Sequence, residues 1–157
     1  MRVTLRFLEL FLRRVQRELG IDEAEVTICL VSDAEIAEMN ESFRKKHGPT
    51  DVLSFTAMRQ TGGSRPRPTR RARRRSSDGL PAKLADRDTV QLGDIAIAPA
   101  VARRNAKLYG RTLPAELKIL VLHGVLHLLG YDHEEQTDQQ RMRAREEEAL
   151  APLGLSR

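Results

Sequence analysis

The chain has 157 residues, of which 40% are hydrophobic and 31% are charged, with a formal net charge of +5. This length is typical of one domain with a real core, and no apolar run approaches the length that would cross a membrane. Arginines interrupt the apolar positions of the first twenty residues, unlike a signal peptide. The single cysteine, Cys29, excludes an intrachain disulfide and is expected to be a small buried hydrophobe, so we expect a cytoplasmic protein with no membrane partner.

The positive charge is concentrated in one segment. Residues 59–90 hold ten Arg and Lys against three Asp and Glu, whereas the rest of the chain holds 17 basic and 19 acidic residues. Such a composition cannot bury enough apolar surface to offset its ordering entropy. We therefore predict one domain over residues 1–157, with a disordered Arg-rich insertion at 59–90. Two roles stay open for this insertion: a solvated loop, or an arm whose arginines contact RNA.

The N-terminal part of the chain predicts a helix, a strand and the start of a second helix. Apolar residues that recur at three- and four-residue steps predict an amphipathic helix over residues 4–19, ended by Gly20. The apolar run Val26–Val31 predicts a strand. Ser32 and Glu35 form a capping-box pattern, which predicts that the next helix begins there.

The second helix is expected to bury one apolar face and to end in three consecutive cations. Lys45 and Lys46 are interpreted as cations that complement the negative C-terminal end of the helix dipole. His47 is expected to be exposed in the following loop, and residues 50–56 predict a second strand. The expected buried face comprises Ile36, Met39 and Phe43.

After the insertion, one strand and two helices are predicted. Residues 90–97 predict a third strand, and a short helix is expected over residues 99–109. Thr112 is a good N-cap residue for a core helix that ends at Gly130. The apolar face of this helix comprises Leu117, Leu120, Val121, Gly124 and Leu128.

The last predicted element is a charged helix over residues 138–150, with Thr137 and Gln140 as its capping box. The chain therefore alternates helices with three short strands. This order favours an α+β fold, in which a small mixed β-sheet packs with helices in a single domain.

Three of the four histidines lie within eleven residues at the end of the core helix. His123 and His127 are four residues apart, so their rings project from one face of a helix, the spacing with which a zincin-like helix binds a metal ion. Gly130 can turn the chain and bring His133 back toward them. Three imidazoles and one open position predict a catalytic site for one Zn²⁺ ion, because structural zinc sites are closed by four protein ligands. Ordinary packing is the alternative, and it does not account for this spacing across a glycine turn.

The spacing of these histidines is that of a zinc peptidase helix, with one difference. Zinc peptidases carry a glutamate after the first histidine as the general base, and this chain has Gly124 there. Peptide hydrolysis by that route therefore lacks its base. Asp132 is the nearest carboxylate of the motif and can orient a ligand histidine.

Three separated blocks resemble the YbeY family of bacterial metal-dependent endoribonucleases. They are His-Gly-Val-Leu-His-Leu-Leu-Gly-Tyr-Asp-His at 123–133, the pair Asn40–Arg44 and Thr50–Phe55, and Leu92–Ile95. The resemblance implies a zinc-binding α+β fold and a cytoplasmic endoribonuclease specific for single-stranded RNA. It also implies a role in maturing the 3′ end of 16S ribosomal RNA and in ribosome quality control, with the small ribosomal subunit and its proteins as partners.

Arg44 matches the catalytic arginine of that family. Its planar guanidinium can hold a phosphate through two hydrogen bonds, and we expect it to stabilise the charge that develops during phosphodiester cleavage. The expected catalytic set is Arg44 with the metal ligands His123, His127 and His133. The nucleophile, water or the RNA 2′-hydroxyl, stays open. A zinc-stabilised RNA-binding or ribosome-assembly factor without hydrolase activity is the alternative, motivated by the basic insertion.

The chain departs from the family pattern at two places. It starts near the first predicted helix, where the family has a leading strand, and its insertion at 59–90 is longer and richer in arginine than the family pattern.

Overall fold

In a computed structural model that describes residues 4–57, 90–131 and 136–155, five helices pack around a three-stranded mixed sheet. The α+β fold predicted from the sequence is therefore confirmed. Within the described part of the chain, no helix combines the length and apolarity needed to cross a membrane. The elements are α1 (Leu5–Glu18), β1 (Ala24–Leu30), α2 (Asp33–Arg44), β2 (Val52–Thr56), β3 (Val90–Ile97), α3 (Pro99–Leu108), α4 (Leu113–Leu128) and α5 (Gln136–Leu150).

The sheet has β3 at its centre. β1 pairs with β3 in parallel and β2 pairs with it antiparallel, so the order is β1-β3-β2. Ile95 is opposite Ile28 on one side and Ser54 on the other. The insertion predicted at 59–90 lies outside the described residues except for its last residue, Val90, which begins β3.

Local capping signals set the helix starts, as predicted. The side chain of Ser32 accepts a hydrogen bond from the Glu35 backbone N–H at 3.3 Å, and the Glu35 carboxylate accepts one from the Ser32 N–H at 2.7 Å. Thr112 accepts from the N–H of Ala115 at 3.4 Å. The capping box predicted at Thr137 is wrong, because α5 already begins at Gln136.

α4 is the most buried helix of the described structure, with ten of its 16 residues buried. It packs against α1, α3, α5, β2 and β3, so apolar side chains surround it on several sides. Burying one leucine such as Leu122 or Leu126 contributes about 1.5–3 kcal/mol. Packing on several sides therefore holds the C-terminal half of α4, which carries the two histidines, in a fixed position.

Two residues expected in the core are exposed. Alternation along β1 puts Ile28 in the core and Cys29 on the opposite face, where it is exposed. Phe43 lies in the last turn of α2 and is 70% exposed, whereas Ile36 on the same predicted face is fully buried. The apolar contact face of α2 thus ends before its last turn.

Candidate active site

His123 and His127 face each other across one turn of α4. Their Nε2 atoms are 3.1 Å apart, and their ring centroids are 4.7 Å apart at an interplanar angle of 73°. Both side chains are half-buried. The spacing predicted that the two rings project from one face of the helix, and the structure places them so.

Glu146, on α5, orients the first of these rings. Its side chain is only 2% exposed, and its Oε1 atom lies 2.6 Å from Nδ1 of His123. A carboxylate only accepts hydrogen bonds, so this contact favours the tautomer with the proton on Nδ1, in which Nε2 is the ring nitrogen available as a ligand. A carboxylate that accepts a hydrogen bond from the ring nitrogen that does not bind the metal is a usual way in which a protein fixes the tautomer of a metal-binding histidine.

The role of Glu146 was not predicted from the sequence, although the sequence carries a signal for it. Met142, Glu146, Ala149 and Leu150 recur at helical spacing, and all four are buried. A carboxylate in the middle of an apolar stripe requires a buried partner, because an unpaired buried charge is costly. That partner could have been sought among the histidines.

Gly124 allows α4 to pack closely on the sheet. A Cβ atom at this position would lie 2.8 Å from Cγ2 and 2.9 Å from Cδ1 of Ile95. The hydroxyl of Ser54, on β2, donates a hydrogen bond to the Gly124 carbonyl at 3.3 Å. A side chain at the position that carries the general base of a zinc peptidase would therefore press against Ile95 of the sheet.

Arg44 shares a cleft with the two histidines. The cleft has a volume of about 210 Å³, and its walls come from the end of α2, the loop that follows it, β2 and α4. The structure thus brings Arg44 together with two histidines that follow it by 79 and 83 positions in the sequence. His133 and Asp132 lie outside the described residues. The lining residues are Arg44, Thr50, Asp51, Val52, Ser54, His123 and His127.

The loop between α2 and β2 forms one wall of the cleft, and hydrogen bonds hold it at Gly48 and at Asp51. The buried amide of Asn40 donates to the Gly48 carbonyl at 2.9 Å. The Asp51 carboxylate accepts from the side chain of Asn105 at 2.9 Å, and its carbonyl accepts from the N–H of Ala98 at 2.9 Å. The loop is therefore tied to α2 at one end and to α3 at the other.

Of the three cations that end α2, Arg44 lines this cleft, and Lys45 and Lys46 follow it in the chain. Lys45 has a left-handed backbone with φ of 57°, and its ammonium donates to the Ser42 carbonyl at 3.1 Å. This contact agrees with the predicted interaction between a cation and the helix C-terminus. His47 is exposed, as expected, and its ring lies 3.3 Å from the carboxylate of Glu41.

The donor geometry fits a zinc ion. Two nitrogen ligands at the usual zinc distance and a tetrahedral angle lie about 3.3 Å apart. The Nε2 atoms of His123 and His127 are separated by 3.1 Å. In residues 4–57, 90–131 and 136–155 no third His, Cys, Asp or Glu joins them in a metal-holding cluster, so His133 stays the predicted third ligand.

Comparisons with known proteins point to one family. The family model described as "Endoribonuclease YbeY" matches residues 3–154. A protein named Endoribonuclease YbeY from Desulfitobacterium hafniense is 40% identical over 136 residues, which cover 87% of this chain and 76% of that protein. The protein of the same name from Moorella thermoacetica is 43% identical over 135 residues, covering 86% and 76%. The solution structure of TM1509 from Thermotoga maritima aligns with 28% identity and a TM-score of 0.48, over 95% of this chain and 83% of that one.

Proposed function

The chain belongs to the YbeY family of endoribonucleases, and we propose that it is a zinc-dependent enzyme that cleaves single-stranded RNA internally. We place its action in the maturation of the 16S ribosomal RNA 3′ end and in ribosome quality control, in the cytoplasm. The small ribosomal subunit and its proteins are the proposed partners. The observation that carries this proposal is the convergence of the His123 and His127 Nε2 atoms, 3.1 Å apart, in the cleft that Arg44 also lines.

In the proposed mechanism, His123, His127 and His133 would hold one zinc ion, which would supply a Lewis acid for phosphodiester cleavage. Glu146 keeps the proton on Nδ1 of His123, so that Nε2 faces the cleft as a lone-pair donor. These roles require no movement of α4, because its side chains are already packed.

Arg44 provides the cation for the substrate. Its guanidinium always carries a charge and can donate two parallel hydrogen bonds to the non-bridging phosphate oxygens. Negative charge on these oxygens increases as the phosphodiester bond is cleaved. A cation in this position therefore binds the transition state more tightly than the ground state, which is the requirement for catalysis.

The role of Arg44 is tested with Arg44→Ala and a matched control, Arg13→Ala, which removes an exposed arginine of α1. Bound zinc and cleavage of single-stranded RNA are measured on the same preparations. We expect Arg44→Ala to keep its metal and to lose about a hundredfold to a thousandfold in cleavage rate. Arg13→Ala is expected to resemble the wild type. Full cleavage by Arg44→Ala would remove Arg44 from the mechanism.

The second candidate is a zinc-stabilised RNA-binding or ribosome-assembly factor. It is favoured by the concentration of ten Arg and Lys in residues 59–90 and by the three consecutive cations, Arg44 to Lys46, at the end of α2. Metal-loaded wild-type protein that binds ribosomal RNA and leaves single-stranded RNA intact would support this candidate over the nuclease.

A further inference from the structure

Phe43 is a large aromatic residue whose side chain is mostly in solvent. It lies in the last turn of α2, directly before Arg44, and is 70% exposed. Its ring meets that of Phe55 edge to face, with centroids 4.9 Å apart and planes at 71°. The proposed mechanism gives this exposed ring no role.

The partner ring is firmly anchored. Phe55 is half-buried on β2 and packs against the smaller of two apolar clusters. Neighbouring residues of a strand point to opposite faces of the sheet, so Phe55 lies on the face opposite that of Ser54, which lines the cleft. The sheet therefore fixes the ring against which Phe43 packs, and Phe43 is linked to the cleft through Arg44, the residue that follows it. The buried members of that cluster are Ile36, Leu53, Ala96, Ala98 and Val101.

Three consecutive cations follow Phe43 in the chain. Arg44 lines the cleft, and Lys45 and Lys46 follow it with exposed side chains. Proteins that bind single-stranded nucleic acid combine such cations with aromatic rings on which bases stack. The cations attract phosphates, and the ring provides a π face for a base.

We propose that Phe43 forms a base-binding subsite, in which its ring stacks on a nucleobase of the RNA strand adjacent to the phosphate held by Arg44. This inference rests on the proposed function and adds how the enzyme holds its substrate. Because every base has a π face, we expect the subsite to accept any of the four bases and to select for a base that is unpaired. A base inside a duplex is already stacked on its neighbours, so the subsite favours single-stranded RNA.

The surroundings of Phe43 fit a base better than a protein partner. A protein interface needs a contiguous apolar patch with a well-packed centre. The apolar neighbours of Phe43 are the half-buried Phe55 and, one turn earlier on α2, the half-buried Met39. The residues next to it in the chain, Ser42 and Arg44, are polar and exposed, so the exposed apolar area is small and close to that of one base.

The test measures binding of a fluorescent, unstructured 2′-O-methyl oligoribonucleotide to the full chain by anisotropy. The variants are Phe43→Ala, Phe43→Leu and Phe43→Trp, and the matched control is Leu108→Ala, which removes an 80% exposed apolar side chain of α3. We expect Phe43→Ala and Phe43→Leu to weaken binding about fivefold to a hundredfold, and Phe43→Trp to retain it. Leucine keeps apolar volume without a π face, so this pair separates stacking from simple apolar contact.

A second series removes one base at a time from the oligonucleotide. Wild-type protein is expected to lose affinity when the base at one particular position is missing, and Phe43→Ala to be insensitive to that same removal. Equal affinities for wild type, Phe43→Ala and Phe43→Leu would overturn the proposal. The proposal would also be overturned if removing each base lowered the affinity of wild type and Phe43→Ala by the same factor. That result is expected if Phe43 binds a protein instead of a base.

Cleavage of the matching unmodified RNA keeps this inference separate from the proposed function. Wild-type cleavage together with unchanged binding by Phe43→Ala would overturn the stacking subsite alone. Base-dependent binding through Phe43 without any cleavage by metal-loaded wild type would support the subsite and count against the nuclease.

Discussion

The Glu146 carboxylate and the Nδ1 atom of His123 are 2.6 Å apart, and the carboxylate is almost wholly buried. The contact joins α5 to the C-terminal half of α4, so the last helix of the chain fixes a ring in the cleft. It also makes the stability of α5 and the orientation of the proposed metal ligand depend on the same hydrogen bond.

Glu146→Gln is expected to weaken zinc binding about tenfold to a hundredfold, because a neutral amide raises the basicity of the imidazole less than a carboxylate does. Metal affinity by competition with a chromophoric chelator is the measurement. Glu147→Gln, which changes the exposed neighbour, is the matched control. If Glu146→Gln bound zinc as tightly as wild type, the orienting role of Glu146 would be wrong.

Gly124→Ala is expected to destabilise the fold by about 1–3 kcal/mol, because the new Cβ would meet Ile95 at 2.8 Å. The better helix propensity of alanine offsets about 1 kcal/mol of this cost. Urea unfolding gives the free energies. In an Ile95→Ala background, which removes the clashing atoms, Gly124→Ala is expected to become neutral or stabilising. The same cost in both backgrounds would contradict the close contact between α4 and β3.

Lys45→Gly is expected to stabilise the fold by about 0.5–1 kcal/mol. Lys45 is the one non-glycine residue with positive φ in the described part of the chain, and glycine adopts this conformation without the Cβ penalty. The lost hydrogen bond to the Ser42 carbonyl is exposed and offsets only part of the gain. Lys46→Gly is the control and is expected to give no stabilisation. A lower urea midpoint for Lys45→Gly than for wild type would refute the prediction.

The capping box of α2 is expected to make stability depend on pH. The hydrogen bond from the Ser32 backbone, followed by that from its side chain, lowers the pKa of Glu35 from its ordinary value of 4.5. A lowered pKa in the folded state means that the ionised carboxylate stabilises the fold above about pH 4.5, and that this contribution is lost as the pH falls through the lowered value.

The check is a comparison of urea midpoints for wild type and Glu35→Gln between about pH 3 and pH 6. The stability difference between them is expected to be constant at the upper end and to shrink toward the acid end. A difference that does not change with pH would show that the charge of Glu35 contributes nothing.

Local patterns predicted much of this structure, and long-range contacts account for what they missed. Thr112 and the pair Ser32 and Glu35 satisfy backbone groups three residues away, so the sequence shows both partners at once. Glu146 finds its partner 23 residues earlier, on another helix. The sequence around Phe43 does not show that the last turn of α2 extends past the residues that bury Ile36, so the exposure of Phe43 could not be predicted.

In the candidate site, too, local spacing predicted one part and long-range packing determines the other. His123 and His127 are one turn apart on a single helix, so their convergence could be predicted from spacing alone. That Arg44 lines the same cleft depends on how α2 packs on β2 and how β2 packs on α4, which no local pattern encodes. The match of separated blocks to a known family supplied that link, and the structure places Arg44 accordingly.

The most direct test of the central claim is cleavage of single-stranded RNA by purified wild type and His127→Ala, with bound zinc measured in both. We expect wild type to contain one zinc ion per chain and to cleave the RNA, and His127→Ala to lose both the metal and the cleavage. Equal cleavage by His127→Ala, or a zinc-loaded wild type that leaves the RNA intact, would contradict the account.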